Sequence, residues 1–143
     1  MDTLRKLEIQ SACEALVARY CHLCDDREHA AFAALFTEDG MWIRPAGEFR
    51  GRKAIFDWME TRPVQQVTRH IMGSVHVEVL DEENAAGIGY CTVFQDYDPP
   101  AGKPSPLVQP KMVVDYRDRF RRSGGEWLIA ERRTRVVFSA EFK

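Results

Sequence analysis

The stretch from residue 20 to residue 29, YCHLCDDREH, collects side chains that can do chemistry. It holds a tyrosine, a Cys-x-x-Cys pair, two histidines and two aspartates. Such a set can ligate a metal, form a redox dithiol or supply one catalytic carboxylate. The histidines of the stretch, His22 and His29, flank a predicted break between two helices, where exposed surface residues are usual.

The spacing of the cysteines favours packing over metal or redox chemistry. Cys21 and Cys24 fall near the end of the predicted first helix, where the helix dipole opposes thiolate formation. A zinc site needs three or four ligands, and the remaining cysteines, Cys13 and Cys91, offer no second ligand pair. We therefore interpret the pair as buried small side chains and predict no metal site.

The aspartates point to a different possibility. Asp25 or Asp26 can cap a second helix, and the other can then turn into the space between helices and sheet. A carboxylate buried there needs a partner such as an imidazole. His70 and His76 share one parity on a predicted strand but stand roughly 20 Å apart, so one compact site can hold only one of them.

Composition limits the class of protein that must position these groups. The 143 residues, with 45% apolar and 29% charged side chains, predict a single domain over 1–143. A net charge of -2 offers no basis for binding nucleic acid or an anionic membrane. The chain shows no signal-peptide pattern and no run of about 18 apolar residues, which favours a cytoplasmic protein.

The first part of the chain has helical periodicity. Apolar residues at intervals of three and four predict a long helix over 4–24 with Tyr20 on its inner face. A second helix is expected to run through about Phe36 and to end at Gly40 in a left-handed conformation. A short strand over 41–43 and a third helix over 50–59, stopped before Pro63, complete this half.

The second part alternates with a period of two. Strands are predicted over 66–80, 85–97, 108–122 and 126–139, joined as an antiparallel meander with a hairpin signal at Ser-Gly-Gly. Helices followed by strands predict an α+β domain in which one strongly bent sheet wraps around three N-terminal helices. Parity places His70 with Thr68, Met72 and Ser74 on one face of its strand. It places Val75, Val77 and Val79 on the other face, where they could form a dimer or trimer contact.

Several segments together resemble the nuclear transport factor 2-like superfamily, and more narrowly its SnoaL-like branch. They are RYCHLCDDREHAAFAALFTEDGMW, G51-R-x-A-I, TRH at 68–70, AAGIGYCTVF at 85–94 and GGEWLIAER at 124–132. The resemblance covers nearly the whole chain. It implies a cone-shaped fold, in which a curved antiparallel sheet of four strands plus a short strand packs on three helices around an apolar cavity.

The resemblance also implies a site. Scytalone dehydratase, bile-acid dehydratases and lindane dehydrochlorinase pair an aspartate just after the first helix with a histidine early on the long strand, matching Asp25 and His70. Tyr20 matches a tyrosine of the bile-acid dehydratases. Ketosteroid isomerase shares the fold, but its general base and its second acid correspond to positions near Arg44 and Met112 of this chain. Neither residue is an acid, which disfavours an isomerase.

The chemistry expected of this site is an elimination on a small hydrophobic cyclic substrate, with no metal or organic cofactor. His70 would act as the base, Asp25 would orient it, and Tyr20 would donate a hydrogen bond. The apolar wall of the cavity is expected to include Trp42, Ile55, Trp58, Met72, Tyr90, Phe94, Met112, Tyr116 and Phe138.

Other possibilities remain open at this stage. An arginine cluster, Arg132, Arg133 and Arg135, is expected to form a solvated face or a subunit contact, or else to bind an acidic substrate group. The same fold also serves non-catalytic binding or assembly proteins, including the β subunits of ring-hydroxylating dioxygenases. A homodimer or homotrimer is expected, because the open face of such a sheet must be covered.

Overall fold

A computed structural model describes residues 1–141. Three helices and six strands form an α+β arrangement, with one open sheet packed against the helices. In chain order the elements are α1 (Thr3–Asp25), α2 (His29–Ala33), β1 (Phe36–Arg44), β2 (Gly47–Arg50), α3 (Arg52–Glu60), β3 (Val67–Val79), β4 (Asn84–Asp96), β5 (Met112–Ser123) and β6 (Glu126–Ser139).

Helix α1 is amphipathic and begins at a conventional cap. The carboxylate of Asp2 accepts a hydrogen bond from the backbone N–H of Arg5 at 2.8 Å, which satisfies one of the free donors of the first turn. The buried side of the helix is the predicted one, with Ile9, Cys13, Leu16, Val17, Tyr20, Cys21 and Cys24. The four free cysteines of the chain are all buried, as the packing interpretation requires.

The segment after α1 differs from the prediction. Helix α2 ends at Ala33, a turn follows at residues 34–35, and Phe36, the expected end of the helix, opens strand β1 instead. Gly40 lies inside that strand, where a Cβ would approach the Cβ of Phe36 to 2.9 Å. Neither Asp25 nor Asp26 caps α2, whose N-cap is Glu28. The glycine is therefore needed for a close approach inside the strand and not for stopping a helix.

The sheet has the order β2-β1-β6-β5-β4-β3. The four long strands form the predicted antiparallel meander, and Gly124 and Gly125, with φ of 59° and 83°, make the tight β5–β6 turn. Strand β1 joins the far edge of the meander by pairing in parallel with β6, and β2 was not predicted. These two strands extend the sheet beyond the predicted four.

A bulge in β3 changes which residues face the helices. Between Gly73 and His76 the strand carries one residue more than β4, and Ser74 has a positive φ of 50°. The extra residue reverses the parity, so Val77 is 2% exposed on the core side, while His76 is exposed. The side-chain amide of Gln10 in α1 donates to the Val77 carbonyl at 3.2 Å.

Consequently the expected placement of Val75, Val77 and Val79 on the face opposite His70 is wrong. Val77 belongs to the hydrophobic core, and the other two pack against it. Within residues 1–141 none of the helices is both long enough and apolar enough to cross a membrane.

Candidate functional site

The structure brings Asp25 and His70 into direct contact. Asp25 is the last residue of α1, and His70 stands on the inner face of β3. The Oδ1 atom of Asp25 lies 2.6 Å from His70 Nδ1, and Oδ2 accepts the backbone N–H of His70 at 3.0 Å. The side chains are 7% and 11% exposed, so the pair is held away from solvent. This double contact fixes the imidazole ring relative to the end of the helix.

Further hydrogen bonds secure the carboxylate from behind. The hydroxyl of Thr68 donates to Asp25 Oδ1 at 2.9 Å, and Arg62 Nη2 donates to the Thr68 oxygen at 3.2 Å. Arg62 also donates to the carbonyl of Cys24 at 2.9 Å. A carboxylate at the C-terminus of a helix faces the negative end of the dipole, so these donors are needed to hold Asp25 there.

The contact changes the pKa of both groups. Burial by itself lowers the pKa of His70, but the hydrogen bond to Asp25 and the neighbouring Cys24 raise it to about 10. Burial raises the pKa of Asp25, whereas the hydrogen bonds from the ring and backbone of His70 outweigh that effect and lower it. At neutral pH the pair is therefore a carboxylate beside an imidazolium.

Tyr20 lies next to this pair and is almost completely buried. Its ring and that of His70 are perpendicular, with centroids 6.4 Å apart. The indole Nε1 of Trp42 donates to the Tyr20 hydroxyl oxygen at 3.1 Å, which leaves the hydroxyl proton for another acceptor. Burial raises the pKa of Tyr20 to about 12, so it is a hydrogen-bond donor at neutral pH.

A buried ion pair supports the tyrosine. Arg132 is 0% exposed, and its guanidinium forms two bonds of 2.7 Å to the carboxylate of Asp118. Its Cζ lies 4.2 Å from the ring centre of Tyr20 and 4.1 Å from that of Tyr116. The expected exposed arginine cluster is therefore wrong at Arg132, while its neighbour Arg133 is exposed. A cation buried in this way requires the ion pair that Asp118 provides.

A cavity of about 380 Å³ opens beside the pair. Its volume lies within the range of small-molecule sites. Six of the predicted site residues line it: Tyr20, Trp42, Trp58, His70, Met112 and Tyr116. Asp25 is not among the lining residues, so it contacts His70 from the side away from the cavity.

The other predicted wall residues lie elsewhere. Ile55 is fully buried in the core, and Met72 packs against the core. Tyr90 and Phe138 are 52% and 68% exposed. Phe94 alternates with the inward-facing Cys91 and Val93 on β4, and so lies on the outer face of the sheet. Hydrophobicity alone does not show which face of a strand a side chain occupies, so it does not separate residues of the cavity wall from those of the core or the outer face.

Sequence reasoning also missed polar residues of the cavity. Arg44, Arg62, Gln66, Thr68, Gln95, Lys111, Thr134 and Glu141 line it together with the aromatic residues. Thr68 and Thr134 lie on inward parities of their strands, which was an available signal. His29 was predicted to be exposed, yet it is 8% exposed and its Nδ1 lies 2.9 Å from Glu60 Oε1, while His22 is exposed as predicted.

The site around Asp25 and His70 also contains residue types that can ligate a metal ion. Cys24, Asp25 and His70 each offer one ligand atom, and these atoms lie within 4.8 Å of one another. However, the Asp25 oxygen is already bonded to His70, and Arg62 Nη1 lies 3.5 Å from the Cys24 sulfur. A divalent cation there would lie against a guanidinium, so we interpret the group as a hydrogen-bonded pair.

Comparisons with known proteins agree with this architecture. The model of the SnoaL-like domain family matches residues 5–133. No curated protein matches the chain at a significant level. The solved structure of Rv3472 from Mycobacterium tuberculosis, a protein of unknown function, is 28% identical, with a TM-score of 0.78 over 94% of this chain and 79% of that chain.

Two further structures share the fold at lower identity. A candidate scytalone dehydratase from Novosphingobium aromaticivorans is 20% identical, with a TM-score of 0.82 over 99% of this chain and 93% of its own. A type 2 hexachlorocyclohexane dehydrochlorinase, LinA, is 18% identical, with a TM-score of 0.80 over 99% of this chain and 94% of its own. At these identities the similarity establishes a common fold.

Proposed function

This chain belongs to the SnoaL-like domain family, and we propose that it is a cofactor-independent lyase that removes water from a small hydrophobic cyclic substrate. The observation that carries the proposal is the contact of 2.6 Å between Asp25 Oδ1 and His70 Nδ1 at the wall of a cavity. A carboxylate bonded to one ring nitrogen leaves the other nitrogen for proton transfer. The names of two proteins with the same fold, a dehydratase and a dehydrochlorinase, also describe eliminations.

In the proposed reaction His70 Nε2 takes a proton from the carbon next to a carbonyl or other activating group. The electron pair of that C–H bond forms the new double bond, and the bond from carbon to the leaving oxygen breaks. The leaving hydroxide takes up that proton from the His70 imidazolium and departs as water, which returns the ring to its neutral form. Asp25 holds the ring in the correct tautomer and stabilises the imidazolium while it carries the proton.

The raised pKa of His70 sets a condition on this mechanism. The ring must be neutral to act as a base, and with a pKa of about 10 it is mostly protonated in the resting protein. Proton loss therefore precedes catalysis, but the base so formed is stronger than an ordinary histidine. The proposed activity should accordingly increase from neutral toward alkaline pH.

Tyr20 is proposed to stabilise the negative charge that develops on the substrate. Tyr20 lines the cavity, and its hydroxyl accepts the Trp42 N–H and keeps its own proton for a substrate oxygen. A donor already in place in a site shielded from water stabilises an enolate without reorganisation. The guanidinium of Arg132 against the Tyr20 ring makes the phenol a better donor.

The test uses a β-hydroxytetralone, whose dehydration gives naphthol and can be followed by absorbance. The variant His70→Asn removes the base and keeps a polar side chain of similar size, and we expect at least about a hundredfold loss of kcat. His76→Asn is the matched control, because His76 is exposed on the same strand beyond the bulge. Wild-type activity in His70→Asn, or none in the wild type with any cyclic β-hydroxy ketone, would favour the non-catalytic binding alternative.

A further inference from the structure

The part of the cavity wall formed by β1 carries a cation that has no counterion among residues 1–141. Arg44 ends strand β1, and its guanidinium Cζ lies 4.4 Å from the ring centre of Trp42 and 4.0 Å from that of Trp58. Its Nη1 atom is enclosed and has no hydrogen-bond partner among residues 1–141. Stacking on two indoles fixes the guanidinium while removing much of its water, which leaves an unmet donor.

The neighbouring strand β6 carries a second polar group that lacks a partner within the described residues. In the parallel pairing of β1 and β6, Trp42 faces Arg132 and Ile43 faces Arg133, so Arg44 comes next to Thr134. The hydroxyl of Thr134 is also buried without a partner in the described part of the chain. Both residues line the cavity. A guanidinium and a hydroxyl on neighbouring strands of one cavity wall are donors suited to the two oxygens of a carboxylate.

The other cations of the cavity are already engaged. Lys111 pairs with Glu141, and Arg62 donates to the Cys24 carbonyl and to Thr68, whose hydroxyl binds Asp25. Arg44 is the cation of the lining that has neither a carboxylate partner nor a hydrogen bond among residues 1–141. Natural proteins rarely leave such a donor unsatisfied unless a ligand or water completes it.

From this juxtaposition we propose that Arg44 and Thr134 bind a carboxylate on the substrate, which is therefore a cyclic hydrophobic acid. That the bound acid is a substrate rests on the proposed function. Strands β1 and β3 stand near opposite edges of the sheet, so a carboxylate on Arg44 places the ring system between them with its far side toward His70. The apolar side chains of Met112 and Val114 line the space between.

The test compares two probes of equal shape and different charge, naphthoate and naphthamide, by isothermal titration calorimetry near neutral pH. The wild type should bind naphthoate about tenfold to a hundredfold more tightly, the range expected of a charge-assisted hydrogen bond. Arg44→Met should abolish this preference by weakening naphthoate alone. Arg50→Met is the matched control on an exposed arginine of β2 and should retain the preference.

Three outcomes would overturn the assignment: equal affinity of the wild type for both probes, an unchanged preference in Arg44→Met, or a preference lost in His70→Asn but kept in Arg44→Met. If Arg44→Met does not fold, Arg44→Gln takes its place and should likewise lose the preference, while Arg44→Lys should retain part of it. The outcome is separate from that of the proposed function, because loss of dehydration in every assay would leave the ratio of the two affinities unchanged.

Discussion

Replacing Asp25 by asparagine should lower the pKa of His70 from about 10 to below its ordinary value of 6.5. Two opposing effects act on the ring: burial, which lowers the pKa, and the contacts with Asp25 and Cys24, which raise it. Burial is the largest of these effects, so without the Asp25 charge we expect it to outweigh the remaining contacts with Cys24. A change of more than about three pKa units corresponds to a few kcal/mol, several times the value of an exposed ion pair.

The same variant should be less stable for a geometric reason. The two Asp25 oxygens accept three donors, namely the Thr68 hydroxyl, the His70 backbone N–H and the His70 ring. An asparagine has one oxygen and one NH₂ group, so at least one donor would face another donor. We expect this mismatch to cost about 1–3 kcal/mol in the free energy of unfolding, in addition to the loss of the ion pair.

The difference in the free energy of unfolding between the wild type and Asp25→Asn should also depend on pH. The pKa of His70 is higher in the folded than in the unfolded protein. The protonated ring therefore contributes fully to the free energy of unfolding below about pH 6.5, and this contribution is lost as the pH rises through about 10. The difference between the wild type and Asp25→Asn should narrow over that interval.

The assay is an NMR titration of the His70 ring carbons, together with urea unfolding at several pH values. Asp26→Asn is the control, since it removes the same charge from the adjacent exposed residue. A His70 pKa that stays well above 6.5 in Asp25→Asn, or falls equally in Asp26→Asn, would refute the assignment of the shift to this contact.

Three further outcomes follow from the structure. The kcat/KM for the β-hydroxytetralone should rise from neutral pH toward about 10 as His70 loses its proton, and a falling profile would show that the imidazolium acts as an acid. Asp118→Asn should lower the free energy of unfolding, measured in urea, by about 3–5 kcal/mol, because it leaves the buried charge of Arg132 without its partner. Asp39→Asn is the control in an exposed ion pair and should lower it by about 1 kcal/mol or less. Gly40→Ala should lower the stability in thermal melts by roughly 1–3 kcal/mol, because the added Cβ would meet backbone and side-chain atoms at 2.9 Å. Gly73→Ala is the control, since no atom lies within 4 Å of the added Cβ, and its stability should stay within about 0.5 kcal/mol of the wild type.

Periodic features of the fold were predictable because they depend on neighbouring residues. The apolar spacing of α1, the alternation of the four long strands and the glycine pair of the last hairpin all express local geometry. The resemblance added the pairing of Asp25 with His70, 45 residues apart in the chain, which local patterns alone did not settle.

Features that depend on a break in period were not predictable. The bulge at Ser74 shifts the parity of β3 by one residue, so an alternation read through it assigns every later side chain to the opposite face. Gly40 suits a helix end as well as it suits a crowded strand, and only the packing of β1 distinguishes the two.

The sequence by itself therefore determined the first and third helices, the long strands and the residue types of the candidate site. The stretch YCHLCDDREH contributes Tyr20 and Asp25 to that site and Cys24 to its edge. Tertiary structure alone decided that Arg132 is buried against two tyrosines and that Tyr90 and Phe138 face outward. It also decided that Arg44 lines the cavity with no partner among residues 1–141. The reason is physical: burial and charge pairing depend on residues far apart in the chain, and no local pattern records which of them meet.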